Sequence, residues 1–425
     1  PYGHEAKYSG LTPTKQDVAS PGLYTFTCWI TEPSTSNLLN ITEETWCYAQ
    51  FTILDANWYS VGLRDIEYTL DETYRTLSIR NYKNNFNSTV KIPATFDLTS
   101  GAYAVISVDG FNAATLQPML EAVNLPESLL EIGDSAFQGC YKLNELSLPA
   151  KLQRIGAHAF RGCTQIKNLT IPDTVIDIGE AAFANCQYLT AISIDPANKK
   201  YKIAEGCNCL VDIENGVVIQ GLPGGRIPLD GSITALGKYC FANTNIISAE
   251  IPEQVSIVPE NAFSSCASLV EVKLPSTMRI LDATCFAWCS NLTSVELPNG
   301  LTDIRTYVFN SCAFENIVIP GSVNNILSNS FGAIKKLKKV TFEKRLDAAG
   351  NVIIPNIHHK AFAGSGSEDY PIIFEFPWTK AQHKENFEGT YSDYSGATFD
   401  KSLAFGAVGN CKLKFADEET DINNV

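Results

Sequence analysis

The sequence predicts a strand-rich α/β repeat solenoid with a parallel β-sheet on one side and a β cap at the N-terminus. Two recurring phrases predict it. The first ends in phenylalanine: Ile132-Gly-Asp-Ser-Ala-Phe137, Ile155-Gly-Ala-His-Ala-Phe160 and Ile178-Gly-Glu-Ala-Ala-Phe183. It returns in weaker form at Phe241, Phe263, Phe286, Phe309, Phe331 and Phe362, and a faint first copy ends at Phe111. The ten phenylalanines are spaced 26, 23, 23, 58, 22, 23, 23, 22 and 31 residues apart. A fixed period of this length marks stacked structural repeats. The second phrase ends in proline, as in Leu143-Asn-Glu-Leu-Ser-Leu148-Pro149 and Ile166-Lys-Asn-Leu-Thr-Ile171-Pro172.

Each element of the repeat has a physical reading. Five residues before each Phe stands an aliphatic residue: Ile106, Ile132, Ile155, Ile178, Leu236, Val258, Leu281, Ile304, Ile326 or Ile357. A position that is apolar in every copy is a core position, because stacked repeats bury the same face throughout. The residue just before Phe is usually small, as at Ala136, Ala159, Ala182, Ala262 and Ala361, since bulk there presses on the neighbouring coil. The apolar-polar-apolar ending of the second phrase has the period of two of a half-buried strand. The proline then removes a donor and ends the pairing. Each copy therefore reads as one short strand, a turn, an extended or short helical stretch and a bend.

The phrase I-G-x-x-A-F-x-G-C-x-x-L-x-x-V-x-L-P resembles the repeat of the BspA-like leucine-rich repeat family. Cys140, Cys163, Cys186, Cys266, Cys289 and Cys312 stand at that family's cysteine position. The resemblance covers about residues 92–376 and implies a leucine-rich-repeat solenoid. It further implies a cell-surface or extracellular protein of a host-associated microbe, its signal peptide removed. Its partner would be a protein ligand, with host matrix adhesion as the sharper form.

Two regions depart from the period. The 58-residue gap contains Asp195 to Ser232, where Cys209-Leu-Val and Val217-Val-Ile flank Glu214-Asn-Gly216. An Asn-Gly pair between β-formers is a hairpin signal. This segment reads as an inserted protrusion whose removal leaves the array folded. The ends also depart, giving three expected parts: a β-rich cap over 1–60, the solenoid over 61–377, and a C-terminal cap and tail over 378–425. In the first part Trp29, Trp46, Trp58 and Tyr59 are read as cap core, or alternatively as a platform for sugar rings. Cys28 and Cys47, on adjacent strand candidates, are the pair best suited to a disulfide.

Composition narrows the function. Hydrophobic residues make up 45% and charged residues 18%, so the chain can bury a core. A net charge of -14 repels phosphate backbones and argues against a nucleic-acid partner. No apolar run is long enough for a transmembrane segment. The cysteines follow the repeat and exchange with Ala114, Thr244, Ile334 and Ser365, so they read as buried space-fillers and not metal ligands. None of the five histidines lies in a metal-binding spacing, and no nucleophile or phosphate-loop motif is present. No cofactor or metal is expected, and an enzyme with a site in a terminal region is the least favoured alternative.

Two surfaces are left for binding. Asn124, Ser147, Thr170, Ser193, Glu250, Lys273, Glu296 and Thr341 precede the last apolar residue of their strands. Alternation sends them outward together as a polar ladder, the expected protein-binding face. Lys335, Lys336, Lys338, Lys339, Lys344 and Arg345 form the one basic cluster on an acidic chain and are the candidate anion or glycan patch.

Overall fold

The computed structural model describes residues 24–32, 46–53, 59–83, 88–111, 119–367, 371–387, 390–392, 398–400, 411–417 and 419–421. Successive coils stack in parallel register, joined by ladders on two sides. The first ladder is the one expected from the Leu-x-Leu-Pro phrase. Its pairings include Asn168–Ile171 with Ala191–Ile194, Ser248–Glu250 with Glu271–Lys273, and Asn316–Ile319 with Lys339–Phe342. The second ladder was not expected. The aliphatic residue five before each Phe lies in a two-residue strand from Ile132 on, so that Ile132, Ile155 and Ile178 lie in register, as do Val258, Leu281, Ile304, Ile326 and Ile357. No helical stretch follows: the only α-helix among the described residues is α1, Lys380–Phe387.

The turn that carries Phe is itself a hydrogen-bonded seam. Phe137, Phe160, Phe263 and Phe309 each donate their backbone N–H to the residue before the next coil's Phe, at 2.7–2.8 Å. Two residues on either side of Phe the backbone is left-handed, as at Ser135, His158, Asn185, Asn261, Ser265 and Trp288. This backbone favours Gly and, after it, Asn, and Gly139 and Gly162 occupy it in the cleanest copies. The Gly after the aliphatic residue has another reason. A Cβ on Gly179 would lie 2.3 Å from the backbone N of Ala157 in the preceding coil.

Inside the seam the phenylalanine rings stack. Phe111, Phe137, Phe160 and Phe183 run in one column with centroids 5.5–6.0 Å apart, continued by Tyr82 at 4.5 Å from Phe111. Phe241, Phe263, Phe286, Phe309, Phe331 and Phe362 form a second column at 5.1–5.7 Å. All are buried. Each offset pair adds about 0.5–1.5 kcal/mol beyond its area burial.

Three expectations need correction. In the first copy the core residue in register with Ile132 is Val108 and not Ile106, which is only half-buried. The strand Gly101–Val108 runs straight into the turn, so the aliphatic position sits two residues nearer Phe111. Past Trp378 no further copy of the Phe phrase follows, and the chain closes the stack with one more parallel strand. Cys411–Lys414 adds a further parallel strand to Ile372–Glu375, and Trp378, Phe376 and Phe415 pack together beneath α1 and the strand. In the N-terminal region, Tyr24–Glu32 and Trp46–Ile53 pair antiparallel with Cys28 opposite Gln50 and Cys47 opposite Thr31. Three residues of offset is roughly 10 Å along a ladder, beyond the Cα reach of a disulfide.

The third correction concerns Asp195 to Ser232. Its hairpin is there, with Cys209–Asp212 antiparallel to Val217–Gly221. It is not a protrusion. All four residues of Cys209–Asp212 are buried. Leu210 packs into the N-terminal core, while Cys209 and Val211 pack into the C-terminal one. The Tyr201 hydroxyl accepts the Ile178 N–H at 2.9 Å, and Asn198 donates to the Pro172 and Val175 carbonyls. Gly221 takes the place of a repeat Phe in the seam, donating to the Cys240 carbonyl at 2.6 Å. A Cβ there would lie 2.1 Å from the Phe241 ring, so only glycine lets that ring close the second column. The hairpin is a wall shared by two cores.

Two predictions follow from this packing. Deleting Asp195 to Ser232 exposes both cores and should abolish cooperative unfolding by urea; a deletion variant with the wild-type midpoint would show that the wall is dispensable. The second concerns His383, whose Nδ1 accepts the Trp378 Nε1–H at 3.2 Å. Burial pushes its pKa down to about 4, against about 6.5 for a free histidine. Between those values the unfolded chain binds the proton and the folded chain does not. Stability from neutral His383 is therefore complete above about pH 6.5 and lost as pH falls toward 4, on the order of 3 kcal/mol. On moving from pH 7 to pH 4.5, His383→Gln should lose less stability than wild type in urea titrations. Equal losses would remove His383 from the account.

Candidate functional site: the outward ladder

Register turns the strand positions into columns. Lys91 lies beside Asn124, and Ser147 continues that column. Thr170 lies beside Ser193. Past the hairpin wall, Glu250 pairs with Lys273, with Glu296 next in the column. Val318, Thr341, Glu375 and Lys414 complete it. Seven of the eight predicted residues are exposed; Thr341 is half-buried, with its hydroxyl directed to Glu375 at 3.3 Å. The inward neighbours Leu169, Ile192, Ala249, Val272, Ile317 and Val340 are all buried. The parallel column two residues earlier holds Glu145, Asn168, Glu271, Ser294, Asn316 and Lys339.

The two halves of this face differ electrically. The first presents mainly amides and hydroxyls from Asn124 to Ser193, with Lys91 and Glu145 as its charged members. The second alternates charge. Lys273 contacts Glu250 at 2.5 Å, and Glu375 is held between Lys339 at 2.8 Å and Lys414 at 3.5 Å. The Lys339 hydrogen bond holds the Glu375 carboxyl below its ordinary range, against the opposing effect of partial burial. The same kind of contact from Glu250 raises Lys273. Lys91, Val318, Glu375 and Lys414 belong to this face and were missed. Val318 hides in the all-apolar run Ile317-Val-Ile319, where alternation cannot be read, yet it is 49% exposed.

The basic cluster does not act as one patch. Lys338 pairs with Glu315 at 2.8 Å and holds that carboxyl low, and Lys339 is engaged by Glu375. Lys335 donates to the Gly364 carbonyl at 2.7 Å. Arg345 donates to Asn324 Oδ1 at 2.8 Å, on the corner beyond the strand, beside the exposed Lys344. Lys336 is exposed. Of the aromatics named near the N-terminus, Tyr59 donates its hydroxyl to Asp65 at 2.8 Å. The Trp58 position and the side chains of Trp29 and Trp46 lie outside the described residues.

The repeat cysteines do more than fill space. Cys140, Cys163, Cys186, Cys266, Cys289 and Cys312 each direct Sγ at the carbonyl of the preceding coil's Phe, at 2.9–3.2 Å. Ser365 makes the corresponding contact to Phe331 at 2.5 Å. Exchange of Cys with Ser and Thr was the available signal: those side chains share a donor as well as a size. Burial pushes these thiols up, to about 12 for Cys140 and Cys186 and about 11 for Cys266. They are therefore protonated and poor nucleophiles at neutral pH. Among the described residues no three His, Cys, Asp or Glu side chains gather as metal ligands. The expected result of alkylation at pH 8, with modified sites mapped by mass spectrometry, is that all six stay unmodified until the chain is unfolded. Labelling of any of them in the native protein, or a disulfide between two of them, would contradict the packing.

Comparison with known proteins places this geometry. The family model for the BspA type leucine rich repeat region matches residues 112–215 and 234–365, with six copies. A search of the curated proteins finds no match. Among solved structures, the pneumococcal vaccine antigen PcpA is similar at 16% identity with a TM-score of 0.52, covering 77% of this chain and 96% of that one. A leucine rich cell surface protein of Faecalibacterium prausnitzii is 19% identical over 68% of this chain and 95% of its own, with a TM-score of 0.38. A leucine-rich repeat protein of Eubacterium ventriosum is 18% identical over 63% and 92%, at 0.41. At these identities the likeness concerns the fold.

Proposed function

The chain belongs to the BspA-type leucine-rich-repeat family, and from that premise we propose that it is a cell-surface or secreted binding protein whose ligand is a protein. The outward ladder carries the reading. Its exposed positions range from Ser147 and Thr170 to Glu250, Lys273 and Glu296, while the inward positions of the same strands stay apolar. Core packing fixes the one set, and nothing in the fold constrains the other, so the outward set is free to be shaped by a partner. Mixed hydroxyl, amide and paired charge suits a hydrogen-bonded, partly hydrated protein contact. Among the described residues no helix is long and apolar enough to cross a membrane. Adhesion to host matrix proteins is the specific form of this proposal.

The test is charge reversal along one column. The triple variant Glu250→Lys, Lys273→Glu, Glu296→Lys preserves the attraction between positions 250 and 273 while inverting the sign presented outward. Thermal unfolding should be unchanged, because exposed pairs contribute little to stability. Binding to whichever matrix protein of a panel the wild type captures should weaken at least tenfold by surface resonance. Undiminished binding by a folded triple variant would take the ligand off this face.

A further inference from the structure

We infer that the corner formed by residues 299–302, 321–324 and 343–345 is a second, separate site, for an acidic monosaccharide unit carrying a carboxylate. The cavity there is about 520 Å³, lined by Asn299, Thr302, Ser322, Asn324, Glu343, Lys344 and Arg345 with Gly321. The hollow is open to solvent. Every lining side chain can hydrogen-bond, which suits a ligand with several hydroxyls.

One coil beside it breaks the rule of its neighbours. Corners elsewhere follow the strand with Pro and a short bend, as at Pro149, Pro172, Pro252 and Pro275. The coil ending at Phe362 has a spacing of 31, and its strand runs from Phe342 into Glu343-Lys344-Arg345 without proline. The extra residues close into a small loop bridged at Leu346 and Val352. Asp347 pins its tip, accepting the N–H groups of Ala349 and Asn351 at 2.8 and 2.9 Å. Ile353 donates to the Arg345 carbonyl at 2.8 Å. The added wall is thus built from closed hydrogen bonds, and it carries three of the lining residues.

Charge selects the ligand. The lining holds two cations, Lys344 and Arg345, against one carboxylate, Glu343, on a chain whose net charge is -14. The Arg345 guanidinium is oriented through one nitrogen by Asn324 Oδ1 at 2.8 Å and the Ser322 carbonyl at 3.4 Å. A fixed guanidinium fork is the natural receptor for a carboxylate. A second polar hollow, lined by Arg80, Asp109, Glu131, Asp134 and Arg154, contrasts with this. There Arg154 is bound to Glu131, Asp134 and Asp177, and Arg80 to Asp109, so its cations are already consumed.

The experiment titrates the full chain calorimetrically with a glucuronate-containing tetrasaccharide and with the same sugar after its carboxylate is reduced to the alcohol. The inference expects saturable binding of the acidic sugar and at least a tenfold weaker response to the reduced one. Lys344→Gln, an exposed change that cannot unfold the protein, and Arg345→Met should each weaken binding at least fivefold. Lys335→Gln with Lys336→Gln should leave it unchanged. Equal binding of the two sugars, an equal loss in the Lys335/Lys336 variant, or tighter binding of an acidic peptide than of the sugar would each overturn it.

Discussion

Everything in this molecule depends on the backbone hydrogen bonds that join one coil to the next. A single coil of about 23 residues has no interior of its own; it buries its apolar side chains only against its neighbours. Three seams hold each neighbour in place: the Leu-x-Leu ladder, the narrow ladder before Gly, and the turn around Phe. The spacing they impose is what brings successive Phe rings to 5.1–6.0 Å. It also explains the small residues. Gly179 lies where a Cβ would meet the backbone below, and Ala136 and Ala159 are wholly buried in the turn.

The same spacing decides the chemistry of the cysteines. A thiol three residues after Phe comes within reach of the carbonyl of the Phe beneath it, and Ser365 makes the same contact. Burial keeps the group protonated and leaves it unreactive. The core therefore spends its thiols on internal cohesion.

What faces water is organised by interruption. The hairpin wall divides the outward ladder in two, and the lengthened coil before Phe362 lines a polar corner. Regular repeats supply a broad, rigid surface, and the irregular copies give it distinct places. Loops held by a rigid scaffold are where binding groups concentrate.

The sequence by itself determined the repeat, its aliphatic and phenylalanine core positions, the period-two strands and their outward residues. It could do so because a periodic fold buries the same positions in every copy, so Ile132, Ile155 and Ile178 announce one another. Only the tertiary structure decided the remainder. It showed that Cys209 and Val211 face one core and Leu210 the other, that Val108 and not Ile106 joins the column, and that Lys338 and Lys339 are neutralised by Glu315 and Glu375. Those partners lie 23 and 36 residues away along the chain. Charge pairing, thiol donors and corner cavities depend on which residue lands beside which after stacking, and that juxtaposition has no signature within a single repeat.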